Sequence, residues 1–108
     1  MKKNIFFLFS FLFIYQLFAQ PIINSFSPVS GPIGTTVIIT GVNFNATPAN
    51  NIVFFGAVQA TVTSASSTSL TVTVPVGTTY QPIIVTANNL TAFSVQSFLC
   101  PGLLFSPA

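Results

Sequence analysis

The chain has 108 residues, of which 51% are hydrophobic, and its two charged side chains are Lys2 and Lys3. It contains no Asp, Glu, Arg or His, so it lacks the side chains that act as general acids and bases near neutral pH. The single cysteine, Cys100, provides too few ligands for a zinc site. Nucleic-acid binding needs many Lys and Arg side chains to neutralise phosphates, and the chain has only two lysines. We therefore interpret the chain as a structural or binding module, not as an enzyme, and predict no cofactor and no nucleic-acid partner.

Residues 1–19 have the layout of a secretory signal peptide. Two lysines open the chain, residues 5–18 form an almost unbroken apolar run, and Ala19 offers a small residue for cleavage. A spanning helix needs about 20 apolar residues, so this shorter run favours a cleaved signal over the alternative, an uncleaved membrane anchor. The sequence thus predicts a secreted or cell-surface protein that contacts the membrane only during export.

Short segments rich in Thr, Val and Ile follow, each bounded by Gly, Pro, Asn or Ser, and this pattern is typical of an all-β sandwich. The predicted strands are residues 21–27, 35–41, 51–55, 58–63, 69–74, 81–87 and 90–99. No stretch after residue 20 shows helical periodicity. Before the last strand, Asn88-Asn89 predicts a tight hairpin turn, because Asn tolerates a positive φ.

Alternation within these strands predicts one buried and one solvated face for each strand. The inward positions are Val37, Ile39, Val53, Phe55, Leu70, Val72, Val74, Ile83 and Val85. Phe44 is expected to reach the core from a loop. The facing of the last strand is ambiguous, because Phe93 and Phe98 have opposite parity, and a β-bulge would reconcile them.

Residues 21–44, PIINSFSPVSGPIGTTVIITGVNF, resemble the opening of IPT/TIG domains, the immunoglobulin-like (Ig-like) modules of plexins, Rel-type transcription factors and many bacterial surface proteins. The matching pieces are Phe26-Ser27-Pro28, Gly31-Pro32-Ile33-Gly34-Thr35, Val37, Ile39, Gly41 and Phe44, followed by the segments 53–62, 69–77 and 82–87. The resemblance implies that residues 20–99 form an early Ig-type β-sandwich of about seven strands. It also implies a non-catalytic role in adhesion, spacing or recognition. The DNA-contacting role of the Rel branch does not transfer, because this segment has no basic residue.

Three apolar side chains, Ile38, Phe54 and Ile84, face away from the predicted core. In an Ig-type sandwich the strands that carry Phe54 and Ile84 adjoin in one sheet, which predicts an exposed apolar patch and a candidate interaction surface. The alternatives are that a loop or a neighbouring repeat covers these residues, or that they are scattered singly.

Residues 100–108 are interpreted as a linker and the start of a second, truncated repeat, because PGLLFSPA echoes the opening PIINSFSP. Coincidence is the alternative. Cys100 has no second cysteine to pair with inside the chain, which leaves a buried thiol or an intermolecular disulfide.

Two functions remain in view. The first is a structural, adhesion or spacer module, one unit of a tandem array, whose partners are neighbouring Ig-like repeats or other proteins. The second is a carbohydrate-binding accessory module that contacts a cell-surface glycan. For the second, the candidate residues are Tyr80, Asn43, Asn50, Asn51 and Gln59.

Overall fold

The computed structural model describes residues 19–101, so most of the predicted signal peptide and residues 102–108 of the predicted second repeat lie outside the described part. The described residues form seven strands, and the all-β prediction is confirmed. The strands are β1 (Ile22–Ser27), β2 (Thr36–Val42), β3 (Asn51–Phe55), β4 (Val58–Ala65), β5 (Ser69–Thr73), β6 (Pro82–Ala87) and β7 (Leu90–Ser97). A short 3-10 turn, Pro48–Asn50, precedes β3, and no helix between residues 19 and 101 is long and apolar enough to cross a membrane.

The strands follow the order β1-β2-β5-β4-β3-β6-β7, and neighbours are antiparallel. They form the two layers of an Ig-like sandwich, and β4 belongs to both. Its first residues, up to Ala60, pair with β3, whereas Thr61 and the residues after it pair with β5. We call the layer of β1, β2, β5 and the end of β4 the first sheet. The second sheet contains the start of β4, then β3, β6 and β7.

The layers also meet near the ends of the described chain. Ser30, just after β1, and Leu99, just after β7, form a parallel bridge. The Gly31 N–H donates to the Leu99 carbonyl at 3.0 Å, and the Leu99 N–H donates to the Val29 carbonyl at 3.1 Å. These two backbone bonds join the segment that follows the first strand to the segment that follows the last.

Two hairpins in the second sheet turn over two residues each. Gly56, between β3 and β4, has a φ of 72°, and Asn88 and Asn89, between β6 and β7, have φ values of 54° and 66°. Two-residue hairpins need such left-handed residues because their twist then matches the twist of the strands. The turn predicted at Asn88-Asn89 is therefore confirmed.

All nine predicted core residues are at most 1% exposed, and Phe44 is 4% exposed. They form one hydrophobic core between the sheets. Phe98 belongs to this core and is fully buried, with its ring 5.4 Å from that of Phe55 in an edge-to-face arrangement and 6.2 Å from that of Phe26. Because Phe26 belongs to the first sheet and Phe55 to the second, Phe98 ties the two layers together.

The opposite parity of Phe93 and Phe98 has a simple explanation. Ala92 and Ser94 are buried and Phe93 between them is exposed, so Phe93 and Phe98 face opposite sides and no bulge brings them to one face. The register between β6 and β7 does shift between the pairs Ile84–Phe93 and Pro82–Ser97, and β7 has the extra residues. The strand ends at Ser97, two residues earlier than predicted. Phe98 lies beyond it and points into the core, whereas Phe93 is 63% exposed on the outer face.

Candidate functional site

A row of apolar side chains crosses the outer face of the second sheet. Phe54 of β3 pairs directly with Ile84 of β6, and Ile84 pairs with Phe93 of β7. Directly opposed residues of antiparallel strands project from the same face, so these three side chains are neighbours. Phe93 is the most exposed of them, while Phe54 and Ile84 are half-buried. We call Phe54, Ile84 and Phe93 the apolar row; Gln59 of β4, opposite Phe54, ends it with a polar group.

The structure brings together two of the three predicted patch residues. Phe54 and Ile84 adjoin as expected, but Ile38 lies on β2, on the outer face of the other sheet, between Ser27 and Thr71. Ile38 is therefore not part of the apolar row, because strand parity separates inside from outside and does not distinguish the two outer faces. Phe93 was missed, since the sequence of β7 has apolar residues at both parities and left open which of them face the core.

A cleft of about 360 Å³ opens beside the apolar row, at the end of the second sheet where β3 begins and β6 ends. It is lined mainly by amide and hydroxyl side chains together with two apolar residues. These residues are Asn45, Ala49, Asn50, Ile52, Thr86, Asn88 and Asn89. Ile52 and Thr86 face each other across β3 and β6, one row along from Phe54 and Ile84, so the cleft and the apolar row form one continuous surface.

Asn51, buried to 3% exposure, shapes the wall of this cleft. Its carboxamide oxygen accepts the Asn45 N–H at 2.9 Å, and its Nδ2 donates to the carbonyls of Asn45 at 2.7 Å and Thr47 at 3.1 Å. The Asn45 Nδ2 in turn donates to the Asn88 Oδ1 at 3.1 Å. One buried amide thus fixes the loop before β3, and Asn45 links that loop to the β6–β7 turn.

The structure does not assemble the residues predicted for glycan binding into one platform. Tyr80 is 55% exposed but lies just before β6, at the Gly56 end of the second sheet. Asn50 lies at the opposite end, where Asn51 pairs with Ala87, and the Asn51 side chain is buried. The Tyr80 ring and the Asn50 amide are therefore at opposite ends of the sheet, while the exposed Gln59 lies on β4 opposite Phe54.

The surface that contains the apolar row and the cleft has no charged side chain. Between residues 19 and 101, the ionisable side chains are Tyr80 and the buried, unpaired thiol of Cys100. The same part of the chain contains no group of three or more His, Cys, Asp or Glu that would hold a metal ion. The apolar row and the cleft therefore offer a partner only shape, apolar contact and uncharged hydrogen bonds.

Comparison with solved structures shows that the fold recurs inside much longer proteins. The chain is similar to an auxiliary nutrient binding protein from Bacteroides thetaiotaomicron, with a TM-score of 0.72 and 24% identity over 76% of this chain and 21% of that one. It is also similar to a gamma-CGTase from alkalophilic Bacillus clarkii, with a TM-score of 0.65 and 25% identity over 75% of this chain and 12% of that one. For the extracellular region of plexin A4 the TM-score is 0.59, with 19% identity over 73% of this chain and 10% of that one. This chain thus corresponds to about a fifth or less of each of these proteins.

The family assignment rests on the sequence. A search of curated proteins found no match to the chain. The sequence model of the IPT/TIG domain, in contrast, matches residues 21–99, which include all seven strands and the buried Phe98. The predicted resemblance is confirmed, and the chain belongs to the IPT/TIG domain family.

Proposed function

We propose that the chain is a non-catalytic spacer or adhesion module of an exported protein, and that its second sheet packs against a neighbouring Ig-like repeat. The observation that carries this proposal is the apolar row, which places Phe93 on the surface at 63% exposure beside Phe54 and Ile84. No side chain between residues 19 and 101 is charged at neutral pH, so long-range electrostatic steering contributes little here. Contact with a partner depends on burying apolar area, which contributes roughly 25 cal/mol per Å².

The comparisons support a connecting role. A nutrient-binding protein, a CGTase and a plexin share this fold although their names describe different activities. In each of them the matching segment is a minor part of the chain, at 21%, 12% and 10% of its length. Because these three proteins have different activities, a domain that they share is better explained by a role in supporting other domains than by any one of those activities.

Export is part of the same proposal. It is supported by the positive start, the apolar run of residues 5–18 and the small residue Ala19. We place the cleavage between Ala19 and Gln20, both of which are exposed. The plexin match is to an extracellular region, which agrees with a role outside the cell.

The apolar row is tested by self-association, with a second copy of the chain as the probe for a neighbouring Ig-like repeat. We expect weak self-association of the native chain in sedimentation experiments, and Phe93→Ser to weaken it by roughly tenfold, which corresponds to about 1.4 kcal/mol of lost contact. Ile38→Ser is the matched control, because Ile38 is 47% exposed on the opposite sheet. A native chain that stays monomeric, or an Ile38→Ser variant that is impaired more than Phe93→Ser, would contradict the proposed contact face.

The cleft favours a second function, that of a carbohydrate-binding accessory module. Neutral sugars present hydroxyl groups and apolar faces, and the cleft offers the exposed residues Asn50 and Asn89 beside Ile52. Its volume of about 360 Å³ is near the lower end of the roughly 300–1,000 Å³ of small-ligand sites. One protein of similar structure is named as a nutrient-binding protein.

This second function predicts saturable binding of a neutral oligosaccharide on a glycan array. Asn50→Ala is expected to weaken that binding roughly tenfold, because the variant removes an exposed amide that lines the cleft. Tyr80→Ala is the control, since Tyr80 lies at the other end of the sheet and is expected to leave affinity unchanged. Loss of binding in Tyr80→Ala alone would place the glycan site outside the cleft, and no binding at all would remove this function.

A further inference from the structure

We infer that the exported protein begins with pyroglutamate, formed by cyclisation of Gln20. This inference rests on the proposed export, because cleavage after Ala19 makes Gln20 the first residue of the mature chain. An N-terminal glutamine holds its α-amine and its own carboxamide at the spacing that closes a five-membered lactam. Gln20 is therefore a candidate modification site.

The reaction is an internal amide exchange. The α-amino nitrogen attacks Cδ of the side chain, the new N–Cδ bond forms, and the bond between Cδ and Nε2 breaks. Nε2 leaves as ammonia with a proton taken from the amine. Nothing is oxidised or reduced, and no co-reactant is consumed.

The surroundings of Gln20 leave the reacting atoms accessible while holding the residue in place. Gln20 is exposed, whereas Pro21, the next residue, is fully buried and anchors the chain to the sandwich. The Gln20 carbonyl accepts a hydrogen bond from the Asn43 Nδ2 at 2.9 Å, and the Gln20 Nε2 donates to the Thr91 carbonyl at 3.2 Å. Cyclisation keeps the first bond and the burial of Pro21, and it removes only the exposed bond to Thr91.

The product has a distinctive charge. Cleavage removes Lys2 and Lys3 with the signal peptide, and residues 20–108 contain no Lys, Arg or His. The α-amine of Gln20 is therefore the one basic group in this sequence after cleavage. A lactam nitrogen is not basic, and terminal modifications of this kind remove the terminal charge. The modified domain carries no cation and offers no free amine to an aminopeptidase.

The test is the intact mass of the full 108-residue chain after secretion by a bacterial host. We expect most molecules to have the mass of residues 20–108 less one ammonia, and to resist N-terminal Edman sequencing. The Gln20→Ala variant is the control and is expected to show cleavage without ammonia loss. A cleaved chain with an intact, sequenceable Gln20 would overturn the inference alone. An uncleaved chain, or one cut at another bond, would overturn the proposed cleavage and this inference together.

Discussion

Replacing Phe98 by alanine is expected to remove about 3–5 kcal/mol of stability through lost burial and the cavity it leaves. Phe98 is fully buried and its ring contacts Phe26 and Phe55, one from each sheet. Aromatic pairs contribute about 0.5–1.5 kcal/mol beyond their buried area, so the loss lies toward the upper end of that range. Native domains are stable by about 0.05–0.15 kcal/mol per residue, which makes this a large fraction of the stability of so small a sandwich.

The measurement is urea unfolding followed by the far-ultraviolet signal of the strands. Phe93→Ala is the matched control, since it deletes the same side chain five positions earlier, where the ring is 63% exposed. Exposed substitutions of this kind usually change stability by within about 0.5 kcal/mol. Equal losses in the two variants would show that Phe98 does not tie the layers together.

Changing Asn51 to aspartate is expected to destabilise the domain by about 3 kcal/mol or more at neutral pH. The variant loses the Nδ2 donor that bonds the carbonyls of Asn45 and Thr47, and it places a carboxylate against these two oxygens. A buried polar group without its partner costs about 1–3 kcal/mol, and more when it is charged. Within residues 19–101 there is no Lys, Arg or His to neutralise the new charge.

The same variant is expected to make stability depend on pH. Burial and the facing carbonyls disfavour the ionised form, so the pKa of the introduced carboxyl in the folded state lies above its unperturbed value of about 3.9. The folded state then binds more protons than the unfolded state, and stability falls as the pH rises above that value.

The native chain provides the reference, because it has no Asp, Glu or His and its unfolding free energy is expected to stay constant between about pH 5 and 7. Asn50→Asp is the second control, since Asn50 is exposed and its carboxylate would stay in water. Urea midpoints across this pH range check both expectations. Urea midpoints that do not change with pH for Asn51→Asp, or that do change for the native chain, would contradict the conclusion that residue 51 holds its side chain in a buried, uncharged site.

The core was predictable because alternation is a local property of half-buried strands. Val37, Val53 and Leu70 were placed correctly from their neighbours in sequence alone, and Asn88-Asn89 identified its turn through its own backbone preference. The division of β4 between two sheets was not predictable in this way. Alternation tells which side of a strand is buried, but the partner strand depends on contacts far away in sequence.

The candidate site was predictable only in part, for the same reason. Phe54 and Ile84 were matched through the resemblance to Ig-type sandwiches, whereas Ile38 lies on the other outer face. Phe93 faces outward because its neighbours Ala92 and Ser94 face the core, and β7 has apolar residues at both parities, so its sequence does not show which set is buried. Asn51 begins a strand and looks like a solvated turn residue, yet it is buried because its amide meets backbone groups from a loop that folds over it.

The parallel bridge at Ser30 and Leu99 bears on how a tethered module responds to force. One bridged segment leads back to the start of the domain and the other leads on to its end, and the two run in the same direction. Tension applied to the two ends of the domain would therefore load the two hydrogen bonds between these segments in shear. Both bonds must then break together and not one after the other. In a row of such domains along a surface protein, this parallel bridge would let each sandwich resist mechanical force without a covalent cross-link.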